Sequence, residues 1–228
     1  MLSKSATIGI ATVTTTMSAN NISFSGLPSN PSMYFMILTN TSTFNLSSTA
    51  YITNVQYDGS TIQSYYMKSS SGNNWIASTT DITPSYSNGT LKLQSAAARF
   101  VGNSYALVYV IQPTEYAKDT LISVNSGALS ANNRSISFSG VPGDVSAFSI
   151  VPVTTVARDS SANYIWNVIY ANNAYKLTYT AYSSGSYKVT STTTGVSKSY
   201  NNGTLTVTCN TPYFKKGIDY KLVAVVSG

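Results

Sequence analysis

Ile22-Ser23-Phe24-Ser25-Gly26-Leu27-Pro28 returns later in the chain as Ile136-Ser137-Phe138-Ser139-Gly140-Val141-Pro142, and this repetition decides the fold. Within each stretch apolar and hydroxyl side chains alternate, the period of a strand with one buried face. Gly26-Leu27-Pro28 and Gly140-Val141-Pro142 then stop the strand, because proline cannot donate to a ladder and glycine reaches turn dihedrals closed to other residues. Outward from this pair, four more matches follow in the same order. They are residues 18–21 with 130–133, 51–57 with 164–170, 85–91 with 199–205, and 105–110 with 220–225. A Ser/Thr-rich chain can produce one such match by chance, but not five in the same order at offsets of 112 to 115. The chain is a tandem duplication.

Each copy reads as strands and turns without a helical stretch. Met33-Tyr34-Phe35-Met36-Ile37-Leu38 is nearly all apolar, which predicts a central strand covered on both faces; its counterpart around Ala147–Val151 is milder. Asn88-Gly89 and Asn202-Gly203 sit between alternating segments and predict two-residue type I′ hairpins, since both central residues need positive φ. Asp58-Gly59 is a further hairpin signal, matched in the second copy by Ala171-Asn172-Asn173-Ala174. Trp75 and Trp166 do not correspond. Short strands with turns every 8–12 residues are the pattern of an antiparallel sandwich. The expectation is all-β, with two tandem Ig-like or related β-sandwich domains at 1–115 and 116–228, a small β-barrel being the alternative. Gln112-Pro113-Thr114-Glu115 is the predicted linker. Gly26, Pro28, Asn88, Gly89, Gly140, Pro142, Asn202 and Gly203 are the structural turn residues.

Charged residues make up 9% of the chain, far below the usual quarter, so solubility rests on Ser, Thr, Asn and Tyr. Such a surface suits a protein docked in an assembly better than one diffusing freely. The net charge is +6, but only Lys215 and Lys216 are adjacent. Nucleic-acid footprints cluster Lys and Arg on one face, so direct nucleic-acid binding is not expected. Cys209, the single cysteine, ends Thr-Leu-Thr-Val-Thr-Cys and reads as a small buried strand hydrophobe. Residues 1–10 lack the apolar core of a signal peptide, and no segment approaches a membrane span; synthesis in a cytoplasm and no membrane partner are expected.

The chain has no histidine, which removes the commonest general base and metal ligand. Asp58, Asp81, Glu115, Asp119, Asp144, Asp159 and Asp219 are its only carboxylates. Asp58, Asp144 and Asp219 fall at turns or strand starts and read as solvated turn acids. No catalytic residue, cofactor or metal site is expected. The two copies share apolar strand positions and turn glycines but not charges: Asp58 aligns with Ala171, Lys68 with Ala181, and Lys92 with Thr206. A scaffold that is kept while its polar surface drifts points to a structural or binding role.

Eighteen tyrosines among Ser, Gly and Asn give the palette of recognition surfaces. Tyr65, Tyr66, Tyr86, Tyr182, Tyr187, Tyr200 and Tyr213 are the candidates for exposed contact, with strand packing as the competing role for each. The same residues could stack on sugars. The Asn-x-Ser/Thr triplets at Asn40, Asn45, Asn88 and Asn202 are expected by chance at this composition.

Tandem β-sandwiches without histidine or disulfide, low in charge and rich in Ser, Thr and Tyr, with the Ile-Ser-Phe-Ser-Gly-Leu-Pro stretch as the nearest thing to a signature, resemble accessory structural proteins of tailed-bacteriophage virions. The resemblance implies a non-enzymatic capsid decoration or tail/neck protein, assembled into virions in the host cytoplasm. Its partners would be major capsid or tail/neck subunits, with a homo-oligomer as a further option. Residues 6–16 could pair with a neighbour's sheet edge. The alternative is a carbohydrate- or cell-surface-binding module whose partner is a host glycan.

Overall fold

The computed structural model describes residues 3–14, 19–39, 42–43, 51–68, 74–97, 99–100, 104–155, 163–183, 186–210 and 213–228. Every regular element among them is a strand, and the chain forms two antiparallel β-sandwiches in tandem. In the first copy, β1 (Thr7–Thr14), β3 (Met33–Leu38), β5 (Tyr51–Tyr57), β6 (Ile62–Lys68), β7 (Asn74–Ser78) and β10 (Ser104–Ile111) make a sheet of order β1-β10-β3-β5-β6-β7. A small sheet, β2-β9-β8, is built from β2 (Asn21–Ser25), β8 (Ile82–Ser87) and β9 (Thr90–Ser95).

The second copy repeats this plan. Its large sheet runs β11 (Thr120–Asn125), β19 (Tyr220–Val226), β13 (Val145–Pro152), β14 (Tyr164–Ala171), β15 (Ala174–Ser183) and β16 (Ser186–Thr192). Its small sheet is β12 (Ser135–Ser139), β18 (Thr204–Cys209) and β17 (Val196–Asn201). One strand crosses between the copies: β4 (Ser42–Thr43) pairs with β16, with Thr43 opposite Lys188.

Period-two alternation gives each large sheet two apolar faces. In β3, Tyr34, Met36 and Leu38 pack with Ile22, Phe24, Leu91 and Leu93 of the small sheet, forming the sandwich core. Met33, Phe35 and Ile37 point the other way, with Val108 and Val110 of β10, and meet Ala147, Ile169, Val223 and Val225 of the second copy. The molecule is therefore four sheets deep, with the large sheets face to face in the middle. This is why Met33–Leu38 is buried at every position, as its sequence predicts. Each Val, Ile, Phe or Met buried there contributes roughly 1.5–3 kcal/mol, so the copies stabilise each other.

The turns follow local chemistry. Asn88 and Gly89 have φ of 48° and 72°, and Asn202 and Gly203 have 43° and 78°. Asn172 and Asn173 make a third such pair at 50° and 61°, stronger than the plain connection their sequence suggested. The Asp58-Gly59 loop is longer: Tyr57 pairs with Ile62, and Asp58 Oδ1 accepts from the N–H groups of Ser60 (2.9 Å) and Thr61 (2.7 Å). The connection between the copies is held down as well. Ala117 pairs with Lys4, the Gln112 Nε2 donates to the Asp119 carbonyl (2.8 Å), and Ala6 N–H donates to Asp119 Oδ2 (2.6 Å).

Candidate functional site

The contact between the copies carries the chain's most specific polar geometry. Gln56 Nε2 donates to the Ser149 carbonyl across it at 3.0 Å. Beside this bond, Lys221 Nζ sits 2.5 Å from Asp58 Oδ2, with side chains only 15% and 8% exposed. Asp58 is thus not the solvated turn acid expected from sequence; the second copy closes over its loop. Burial disfavours the charged carboxylate, but the Lys221 ammonium and the Thr61 and Ser60 N–H groups outweigh it and hold Asp58 at about 2.

The remaining described carboxylates, Glu115 apart, also accept structural bonds. Asp81 pairs with Arg99, whose guanidinium lies 4.1 Å above the Tyr66 ring. Asp144 pairs with Lys198 at 2.6 Å and stays largely exposed. Asp219 accepts from Asn125 Nδ2 at 2.8 Å and from Ser126 Oγ at 3.3 Å. Asp159, Asn40 and Asn45 lie outside the described residues. Among those described, no group of three or more His, Cys, Asp or Glu is placed to hold a metal ion. Cys209 is fully buried in β18, and burial pushes its thiol up to about 12.

The tyrosines divide sharply. Tyr65 is fully buried and stacks on Trp166, centroids 5.8 Å apart, and Tyr66 is buried under Arg99. Neither is a surface contact, because the second copy and the Arg99–Asp81 pair cover the ground their sequence left open. Tyr86 and Tyr200 are half-buried and equivalent, donating to the carbonyls of Leu27 (3.3 Å) and Val141 (3.1 Å). Tyr182 and Tyr187 oppose each other in the β15–β16 register, and their side chains lie outside the described residues. Tyr213 is 40% exposed, with the Arg134 guanidinium over its ring, and Tyr116, which sequence did not single out, is 47% exposed.

The duplication makes the contact its own control. The strand registers make Ala106 the counterpart of Lys221, Ala171 of Asp58, Ile169 of Gln56 and Lys176 of Gln63. One flank is therefore bridged by long polar side chains. The opposite flank, with two alanines where the ion pair would be, opens as a cleft of about 290 Å³ lined by Ile37, Ala106, Val108, Ile169 and Ala171. Ile10 and Thr12 of β1 line it too, as does Lys176 of β15. Lys176 Nζ donates to the Thr39 carbonyl at 3.1 Å, has no carboxylate partner among the described residues, and is shifted down by burial.

No family model, curated protein or solved structure matches this chain. The site is therefore characterised by its own geometry. It can bind through apolar shape, strand edges and one amine, and its acids are engaged in holding the scaffold. Sequence comparison of the copies flagged Asp58 against Ala171, but not that Lys221 and Ala106 differ in concert with them across the contact.

Proposed function

We propose that this chain is a non-enzymatic structural protein of a tailed-bacteriophage virion, a capsid decoration or tail/neck accessory that docks onto other virion subunits. The observation that carries this reading is the pair of outward faces. Ser23 and Ser25 of β2, Thr83, Ser85 and Ser87 of β8, and Ser135, Ser137 and Ser139 of β12 all stand exposed. Several are cross-bonded, as Ser25 to Thr90 (3.1 Å), Ser135 to Thr208 (2.8 Å) and Ser137 to Thr206 (2.9 Å). Among the described residues of both outer sheets, only Lys92 and Lys198 are charged. Hydroxyl-bearing faces with so little charge desolvate cheaply beside a neighbour, and repeated placement on a lattice supplies avidity.

The engagement of Asp58, Asp81, Asp119, Asp144 and Asp219 in structural bonds supports a role without acid–base chemistry. The test is density-gradient fractionation of particles followed by quantitative mass spectrometry of the bands. The protein should sediment with particles at a fixed copy number, hundreds for a capsid surface and six or twelve for a neck. Protein found only at the top of the gradient, together with binding on a glycan array, would instead establish the carbohydrate-binding alternative.

A further inference from the structure

We propose that the cleft between the copies, with the adjoining β1 edge, is a docking site for an extended segment of another subunit, apolar at alternate positions and carrying an acidic residue. This rests on the virion reading for the identity of the partner, but not for the chemistry of the site.

The first argument is the asymmetry. Two copies of one sandwich meet through equivalent faces, and on one flank Asp58, Lys221 and Gln56 fill the space. On the other flank their counterparts are Ala171, Ala106 and Ile169, and the space is open and apolar. Packed interiors leave few voids larger than a water molecule, so an open apolar cleft at a place the fold demonstrably can fill points to an external occupant.

The second argument is size and position. At about 290 Å³ the cleft lies at the bottom of the range for small-molecule pockets but suits one or two apolar side chains. It opens beside β1, which ends its sheet: no described strand lies beyond it. Ile10, 52% exposed at this mouth, is the most exposed large aliphatic side chain described. A strand added to β1 takes its affinity from main-chain bonds, and alternate side chains drop toward the cleft for specificity.

The third argument is charge. Among the described residues Lys176 is the one ionisable amine lining the cleft, and its Nζ donates to the neutral Thr39 carbonyl. A carboxylate on the incoming strand would complete it with a charge-assisted bond.

The test pans a displayed library of random octapeptides on the whole protein, with decanoate as a separate small-amphiphile probe. Enriched peptides should alternate apolar residues and carry Asp or Glu. Ala171→Leu, which fills the cleft, should weaken their binding about tenfold, the loss of roughly 1.4 kcal/mol of anchoring. Ile10→Ser, at an exposed position that leaves the core intact, should weaken it severalfold, and Lys176→Met should abolish the preference for acidic over amidated peptides. The proposal is overturned if no peptide is enriched, if Ala171→Leu binds as well as the parent, or if decanoate saturates the cleft while peptides do not. Peptide selection by a protein that never sediments with particles would uphold the cleft assignment and sink the virion reading. Co-sedimentation without peptide selection would do the reverse.

Discussion

Tyr65 of the first copy stacks on Trp166 of the second, ring centroids 5.8 Å apart and planes 24° from parallel. Trp166 occupies a β-bulge in β14, where the register with β15 shifts between Ile165 and Asn167. The first copy has the same bulge between Ile52 and Asn54, with Thr53 as its extra residue. A bulge re-aims a side chain out of the ladder, and here the indole joins the two sandwich cores. Trp166→Ala should therefore cost about 3–5 kcal/mol in urea unfolding. Thr53→Ala, at the equivalent bulge without the large ring, should cost far less. Equal losses would mean that the stack does not couple the copies.

The Asp58–Lys221 pair has a pH signature. The folded-state pKa of Asp58 is about 2 against an ordinary 3.8, so its contribution to stability is complete above about pH 4 and is lost as pH falls toward 2. Asp144, also held down against burial by Lys198 and the Val145 N–H, adds a slope of the same sign. The double variant Asp58→Ala/Lys221→Ala copies the residues of the opposite flank. Its urea midpoint should fall less between pH 5 and pH 2 than that of the parent. At pH 7, Asp58→Ala alone should be less stable than the double variant, because it leaves the Lys221 ammonium unpaired in a mostly buried place. A single variant as stable as the double would show that the ammonium finds water.

These residues mark the limit of sequence reading. The duplication, the all-β sandwiches, the Asn-Gly turns and the doubly covered β3 were legible, because each follows from local alternation or from a dihedral that few residues tolerate. What covers β3 was not legible, since an apolar face does not name its partner. The partner proved to be the other half of the same chain. Tyr65 and Tyr66 were misplaced for that reason: aromatic residues on a strand look alike whether a second sheet lies above them or not. The cleft was illegible because it is a difference between two contacts, visible only once Ala106 and Ala171 stand opposite each other.

Cys209 should be chemically silent in the folded protein. The thiolate is the reactive form, and a fully buried thiol raised to about 12 supplies almost none at pH 8. Iodoacetamide should leave native protein unlabelled, with labelling appearing in parallel with urea unfolding. Rapid labelling without denaturant would mean that β18 opens locally.

The two Asn-Gly hairpins offer a graded test of backbone conformation. Gly89 and Gly203 both lie at positive φ, 72° and 78°, so alanine at either is strained by about 1 kcal/mol. Their surroundings differ. A Cβ on Gly89 would come 3.1 Å from the Leu27 carbonyl oxygen, tighter than ordinary contact, whereas on Gly203 the nearest atom is the Val141 carbonyl oxygen at 3.8 Å. Those carbonyls belong to the residues whose N–H groups donate to Gly89 (2.9 Å) and Gly203 (3.0 Å), tying each hairpin to its Gly-x-Pro stop. Gly203→Ala should therefore show the conformational cost alone. Gly89→Ala should add the cost of pushing Leu27 away and weakening its bond. Urea unfolding of the two variants should rank Gly89→Ala as the less stable, and the reverse order would show that the first copy's hairpin relaxes more readily than its packing implies.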